Sequence, residues 1–394
     1  MQNEPPGHCP RQRLFHLVLF GLVVAYAALL VVTFAMGIWL VDAEGRAKAT
    51  DFISFWAAGK LVLAGHGTDA YDWAIHKAVA TSNGIDIRGH FTFQYPPTFL
   101  LLTPALALVS YPAAMFIWTA TGLSLYLAAV RLINGTWNAT IAALAWPAVL
   151  WNAVVGQTGF LTAALLGAGI ALIDRRPALA GLFFGLLTYK PQFGLLIPVA
   201  LIAGGRWRVI GWAALSTLAF CAVSVAILGV TPWSAFLASF SRAGEAILTD
   251  GAADFSKLQS LYGYVRSLGG SAEAAWLAHG AFVLLLAIFT AWIWHSAAAF
   301  DLKAAALSAA TILASPYSFI YDFAALAIPL VFLGRAGFSN RELPFVIAAA
   351  LLVGWGPADH LATGLLAGLL VLGLAVGRAL FAALSGNVDT QRQL

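Results

Sequence analysis

The sequence predicts an all-α polytopic membrane protein, a bundle of about 12 transmembrane helices with a long first outer loop that carries short amphipathic helices. Three observations predict it. Of the 394 residues, 61% are hydrophobic and only 10% charged, and the mean hydropathy is +0.85. Several apolar runs approach the ~20 residues with which a helix crosses a bilayer. Those runs are apolar all round and rich in Leu, Ala and Gly, whereas the strands of a membrane barrel would alternate with period two. The formal charge of +4 does not indicate nucleic acid, because the basic residues are scattered through short loops and form no stripe. Cys9 in the N-terminal tail and Cys221 inside an apolar run are placed for neither a disulfide nor a metal site.

In chain order, Arg11 and Arg13 precede an apolar stretch too long for a signal-peptide core and followed by no small-residue cleavage site. The reading is a cytoplasmic tail at 1–13, a retained first transmembrane helix at 14–41, an outer catalytic loop at 42–97, the remaining helices at 98–381 and a cytoplasmic tail at 382–394. All of 1–394 then forms one integral membrane domain. Residues 98–133 must make one net crossing although Ser110-Tyr111-Pro112 reads as a break, which suggests a re-entrant half-length piece followed by a full span. Apolar runs at 138–154 and 157–173 leave Gly156-Gln157 outside. Further crossings at 177–189, 192–204, 209–229, 274–294, 303–315, 320–333, 343–357 and 361–381 place the basic loops at Arg131, Arg175-Arg176, Arg206-Trp207-Arg208, Lys303, Arg335 to Arg341 and Arg378 on the inner face. The outer face receives Lys190-Pro191, the 231–273 loop, Ser315-Pro316 and Asp359-His360.

The unusual polar residues therefore collect on one side. An ionisable residue at the membrane boundary is a functional candidate, because hydrocarbon penalises it by several kcal/mol unless it meets a partner or a cavity. Asp51, with Phe52, Ser54, Phe55, Trp56 and Lys60 behind it, fits the start of a short interfacial helix. There it serves as an N-cap, as a base accepting a proton, or as both. Asp69, Asp72 and Asp86 read as solvated loop acids, although Asp69 and Asp72 stand close enough in sequence to approach Asp51 in the fold. Lys190, fixed by Pro191, offers a point positive charge suited to a phosphate, and Lys60 offers another or simply snorkels. Gln157 and Gln94 can donate and accept towards sugar hydroxyls. Trp56, Trp73, Tyr95 and Tyr317 suit stacking on a sugar or an interfacial belt, and Tyr321 with Asp322 opens a helix after the Ser315-Pro316 break. No nucleotide-binding loop, Gly-x-Ser-x-Gly elbow or His-Glu-x-x-His helix is present.

At these residues the sequence resembles a known family. Asp51-Phe-Ile-Ser-Phe-Trp-Ala-Ala-Gly-Lys60, Gly65, Asp69-Ala-Tyr71-Asp72, Phe93-Gln-Tyr-Pro-Pro97, Gly156-Gln157, Ala180-Gly181 leading to Tyr189-Lys-Pro191, Arg206-Trp-Arg208 and Ser315-Pro316 occur in the order found in glycosyltransferase family 87. That family comprises polyprenol-phosphate-mannose-dependent α-mannosyltransferases of the GT-C superfamily, and the resemblance covers about residues 45–335. It implies a GT-C-type bundle in a bacterial plasma membrane with its site facing the periplasm or exterior. It also implies a polyprenyl-phosphate sugar donor, a lipid or glycan acceptor, Asp51 as general base and Lys190 at the donor phosphate. No cofactor or metal is expected. Related sequences often carry Trp and His after the Ser-Pro, where this chain has Phe319, Tyr321 and Asp322. The alternative from another class is a membrane transporter or lipid flippase, which the helices broken near Pro191 and Pro316 would suit. The large outer loop with one strategic carboxylate, and the lack of an internal repeat, favour the enzyme.

Overall fold

The computed structural model describes residues 10–391 apart from 83, 86, 88–92, 252–253 and 359, and for 10–14, 240–243, 246 and 383–391 it describes backbone alone. Asp86, Asp359 and Cys9 lie outside the described residues. Among those described, regular structure is helical, and the β contacts are two isolated bridges, Val41 with Ala47 and Ala358 with Leu361.

Five helices are long and apolar enough to cross a membrane: Phe15–Ala35, Tyr111–Ile133, Trp207–Leu228, Ala272–His295 and Thr363–Ala382. The pair Trp137–Leu144 and Ala148–Val155, bent by 56°, makes a sixth if taken as one span. Length and composition thus support five or six crossings where the sequence suggested about 12. The other expected crossings are shorter helices such as Gly159–Leu172, whose 14 residues reach roughly 21 Å against a ~30 Å hydrocarbon core. An apolar segment between basic loops reads as a span, yet a helix enclosed by protein is equally apolar all round whatever depth it covers.

Burial separates the two kinds. Phe15–Ala35 buries none of its residues and Trp207–Leu228 only Val209 and Ser224, so their Leu, Val and Phe side chains face outward, as on helices bathed in lipid. Gly159–Leu172, Phe300–Leu313 and the run Ile320–Leu326 with Ala327–Gly334 form the interior. Phe300–Leu313 fits there because Ala304, Ala305, Ala306, Ala309 and Ala310 leave room for close neighbours. Gly181 and Gly185 similarly let Pro177–Leu186 approach Trp212 and Ser216 of the long helix beside it, where Ser216 Oγ donates to the Gly181 carbonyl at 3.1 Å.

Several breaks were readable from the sequence and others were not. The chain turns at Ser110 and Pro112 enters the first turn of a 23-residue helix, preceded by the short helices Pro97–Leu100 and Thr103–Ala107. Within the run read as one crossing at 138–154, the chain bends at Trp146-Pro147, where a proline lacks the N–H that a continuing helix needs. The helix after Asp51, Ile53–Leu63, is not an amphipathic surface helix: Ile53 to Gly59 and Leu61 are all buried, and Gly59 sits against the Thr103 carbonyl. The one-sided helix of this loop is Trp73–Thr81, which buries only His76 and Ala80.

Candidate active site

Asp51 lies between two pinned residues. The Thr50 N–H donates to Tyr111 Oη at 2.8 Å, and the Thr50 hydroxyl shares a second bond of 2.9 Å with the same phenol. On the other side the Phe52 N–H donates to the Val155 carbonyl at 3.1 Å. The loop carboxylate is thereby fixed to the start of the Tyr111–Ile133 span and to the end of Ala148–Val155. It does not cap its helix: Phe52 occupies the cap position and no side chain bonds the first turn. Asp72 is the carboxylate that caps, accepting from the Ile75 N–H at 3.0 Å.

Val155 leads into Gly156, whose left-handed backbone at φ +69° ends the helix in a position that favours glycine. A β-carbon there would meet Met115 and Phe52. The Trp118 indole N–H donates to the Gly156 carbonyl at 3.0 Å, so the turn is held from outside as well. It presents Gln157, whose Nε2 donates to Asp51 Oδ2 at 3.4 Å while its Oε1 accepts from Tyr95 Oη at 2.9 Å. Tyr95, at the end of the outer loop, packs on Phe99 and stacks with Tyr189 at a centroid distance of 6.1 Å. Tyr189 Oη in turn bonds Thr162 at 2.6 Å.

Beside this row is an ion pair buried on both sides. Lys190 Nζ donates to Asp322 Oδ1 at 2.7 Å, with 6% and 1% of the two side chains exposed. Asp322 Oδ2 also accepts from the Phe319 N–H at 3.2 Å. The rings of Tyr95, Phe193 and Tyr321 lie 6.0, 5.5 and 5.3 Å from the ammonium. Gly159 has no side chain because the Tyr321 carbonyl occupies that space. The helix that starts after Gln157 is therefore pressed directly onto the turn that carries Asp322.

Electrostatics single out Asp51. Burial pushes its carboxyl up to about 6, against the Gln157 hydrogen bond and the fields of Lys257 and Lys190, while Asp322 adds to the rise. Burial also raises the Tyr95 phenol, so Tyr95 serves as a neutral hydrogen-bond donor. Such a carboxylate is ionised at neutral pH, lies within bond reach of a polar residue and is half-buried.

The remaining candidates lie elsewhere or act differently. Trp56 is buried, donates its indole N–H to the Val109 carbonyl at 3.1 Å and carries the Lys60 ammonium 4.9 Å over its ring, so both belong to the packing of the outer loop. Gln94 is half-buried beside Tyr95. Asp69 pairs with His66 at 3.2 Å. Among the described residues, no three His, Cys, Asp or Glu side chains gather as metal ligands.

Lys257 was not singled out from the sequence. It is exposed, it makes no ion pair among the described residues, and its charge reaches Asp51. The backbone beneath it is fixed: the Gln259 N–H donates to the Ser318 carbonyl at 2.7 Å, Ser260 Oγ to the Pro316 carbonyl at 2.8 Å, and Gln259 Oε1 accepts from the Gly364 N–H at 2.8 Å. The available signal was a lysine in a predicted outer loop, on the side where basic residues are less expected.

The sequence signature of glycosyltransferase family 87 matches residues 93–316, more than half of the chain. Asp51 and Asp322 fall outside the matched segment, while Tyr95, Gln157, Lys190 and Lys257 fall inside it. Neither a curated protein nor a solved structure matches the chain.

Proposed function

This chain belongs to glycosyltransferase family 87 and is a membrane glycosyltransferase; from that premise we propose that it moves mannose from a polyprenyl-phosphate donor to a hydroxyl of a lipid or glycan acceptor at the outer face of the membrane. The reaction is a single inverting displacement with Asp51 as general base. The acceptor oxygen attacks the anomeric carbon as Asp51 takes its proton. The bond from that carbon to the donor phosphate breaks on the opposite face, and the phosphate leaves with the bonding electrons.

The observation that carries this reading is the Asp51 carboxyl itself, pinned through Thr50 and Phe52, bonded by Gln157 and poised near 6. A base in that range is ionised at pH 7 and still basic enough to accept a proton as it leaves the hydroxyl. Gln157, held by Tyr95, orients the carboxylate and can bond a sugar hydroxyl. For the leaving phosphate, Lys190 supplies a deep charge; Asp322 takes one of its three N–H donors. Lys257 is the open cation, free to neutralise phosphate charge as it develops.

The direct test is sugar transfer from a polyprenyl-phosphate donor by membranes bearing Asp51→Asn. The expected loss is roughly 10²- to 10⁴-fold, the usual contribution of a positioned base. Transfer at the wild-type rate would remove Asp51 from this role. Lys257→Gln should raise KM for the donor and leave KM for the acceptor nearly unchanged; equal effects on both would deny it the phosphate.

A further inference from the structure

Three membrane-crossing helices bring their ends together on the face opposite Asp51. The span anchored to Thr50 through Tyr111 finishes at Ile133, Ala272–His295 finishes at His295, and Trp207–Leu228 begins beside Arg206. Between the last two of these ends lies a cavity of about 300 Å³ lined by Asp174, Arg206, Trp294, His295, Phe300 and Lys303. A smaller one of about 150 Å³ touches Ile133, shares Asp174 and Phe300, and adds Arg175 and Arg335. The larger volume is at the lower end of the range that holds small ligands.

The charge around this space is not balanced. Arg206 pairs with Asp174 at 2.8 Å, and Arg335 pairs with Asp301 at 2.9 Å. Lys303 gives its protons to neutral acceptors, the Trp294 carbonyl at 3.2 Å and the Ser296 carbonyl at 2.7 Å, and Arg175 is exposed with no ion pair among the described residues. Two positive charges without a carboxylate of their own thus line adjoining cavities, Lys303 the larger and Arg175 the smaller, whose walls share Asp174 and Phe300. The region is level with the ends of three spans, the depth of lipid headgroups, and Trp294 and Phe300 give it apolar walls. A basic pocket between helix ends at that depth is suited to a lipid phosphate.

We propose that these two adjoining cavities together bind the phosphate head of an anionic membrane lipid, with Lys303 of the larger and Arg175 of the smaller neutralising it and Trp294 and Phe300 flanking its glycerol. The site is separate from the transfer reaction and stands or falls without it. The experiment uses the full chain purified with mixed phosphatidylglycerol and phosphatidylcholine, with retained lipid counted by native mass spectrometry. Wild-type protein should keep phosphatidylglycerol in preference, and each of Arg175→Gln and Lys303→Gln should weaken that retention roughly fivefold, the effect of about one basic residue at an anionic surface. Lys303 also ties down the end of the Ala272–His295 helix, so Arg175→Gln, at an exposed side chain, is the variant expected to keep the fold intact. Equal retention of the two lipids, or unchanged retention in a folded Arg175→Gln protein, overturns the proposal. A rise in unfolding temperature with millimolar inorganic phosphate, without lipid preference, also overturns it and leaves a site for free phosphate.

Discussion

The side chains around the candidate site hold charge where burial opposes it, and each instance has a measurable signature. For Asp51 the folded chain raises the carboxyl from 3.8 to about 6, so the folded state binds protons more tightly than the unfolded one. The wild-type protein therefore loses stability as pH rises from about 4 through about 6. Asp51→Asn removes that penalty. It should be more stable than wild type at pH 8 by about 1–2 kcal/mol after allowance for a half-buried group, seen as a higher unfolding temperature, and the two proteins should converge below pH 4. Activity runs in the other direction: kcat/KM should fall about tenfold per pH unit below about 6 as the base is protonated. An acid limb that persists unchanged in the residual activity of Asp51→Asn would assign it to another group. The Lys190–Asp322 pair predicts a different pattern. Lys190→Met strands a buried carboxylate and should destabilise the protein by about 3–5 kcal/mol. Lys190→Met with Asp322→Asn keeps an acceptor for the Phe319 N–H and should recover most of that stability, but not donor binding.

Between the residues and the whole chain, the elements explain why part of the site was legible and part was not. Proline and glycine marked the turns: Ser110-Tyr111-Pro112 starts a span, Gly156 stops a helix ahead of Gln157, and Lys190-Pro191 separates two short 3₁₀ turns. Local backbone chemistry dictates those features, so a sequence carries them openly. Partners distant in the chain were hidden. Lys190 and Asp322 were each noticed, but their pairing across 132 residues depends on how the Gly159–Leu172 helix lies against the Ile320–Leu326 turn. The same contact yields a test. Gly159→Ala places a methyl against the Tyr321 carbonyl, and backbone cannot yield as a flexible side chain can, so the turn bearing Asp322 must move. Destabilisation of about 1–3 kcal/mol should accompany a loss of transfer larger than the stability change explains. The measurement is specific activity on the folded fraction, and full activity there would show that the turn is not critical.

At the scale of the molecule, the two ends of the bundle differ in charge and in structure, and that asymmetry predicts an orientation that can be tested. One end gathers Asp51, Gln157, Lys190 and Asp322 with the segment at 257–260, whose Gln259 bonds the start of the last long helix. Toward the other end, the loops and the adjoining helix ends carry Arg175, Arg176, Arg206, Arg208, Lys303, Arg335 and Arg341, and Arg378 binds Glu342 at 2.6 Å. Short loops rich in Lys and Arg stay in the cytoplasm, because translocating them during insertion is disfavoured. On the proposed reading the end that carries Asp51 is external, where a polyprenyl-linked donor would present its sugar. In a protein with its native cysteines replaced by serine, Lys257→Cys should react with a membrane-impermeant maleimide on intact cells. Arg341→Cys, at an exposed position in the basic face, should react only after the membrane is opened. The opposite labelling pattern would turn the bundle over, and a donor displayed outside could no longer reach Asp51.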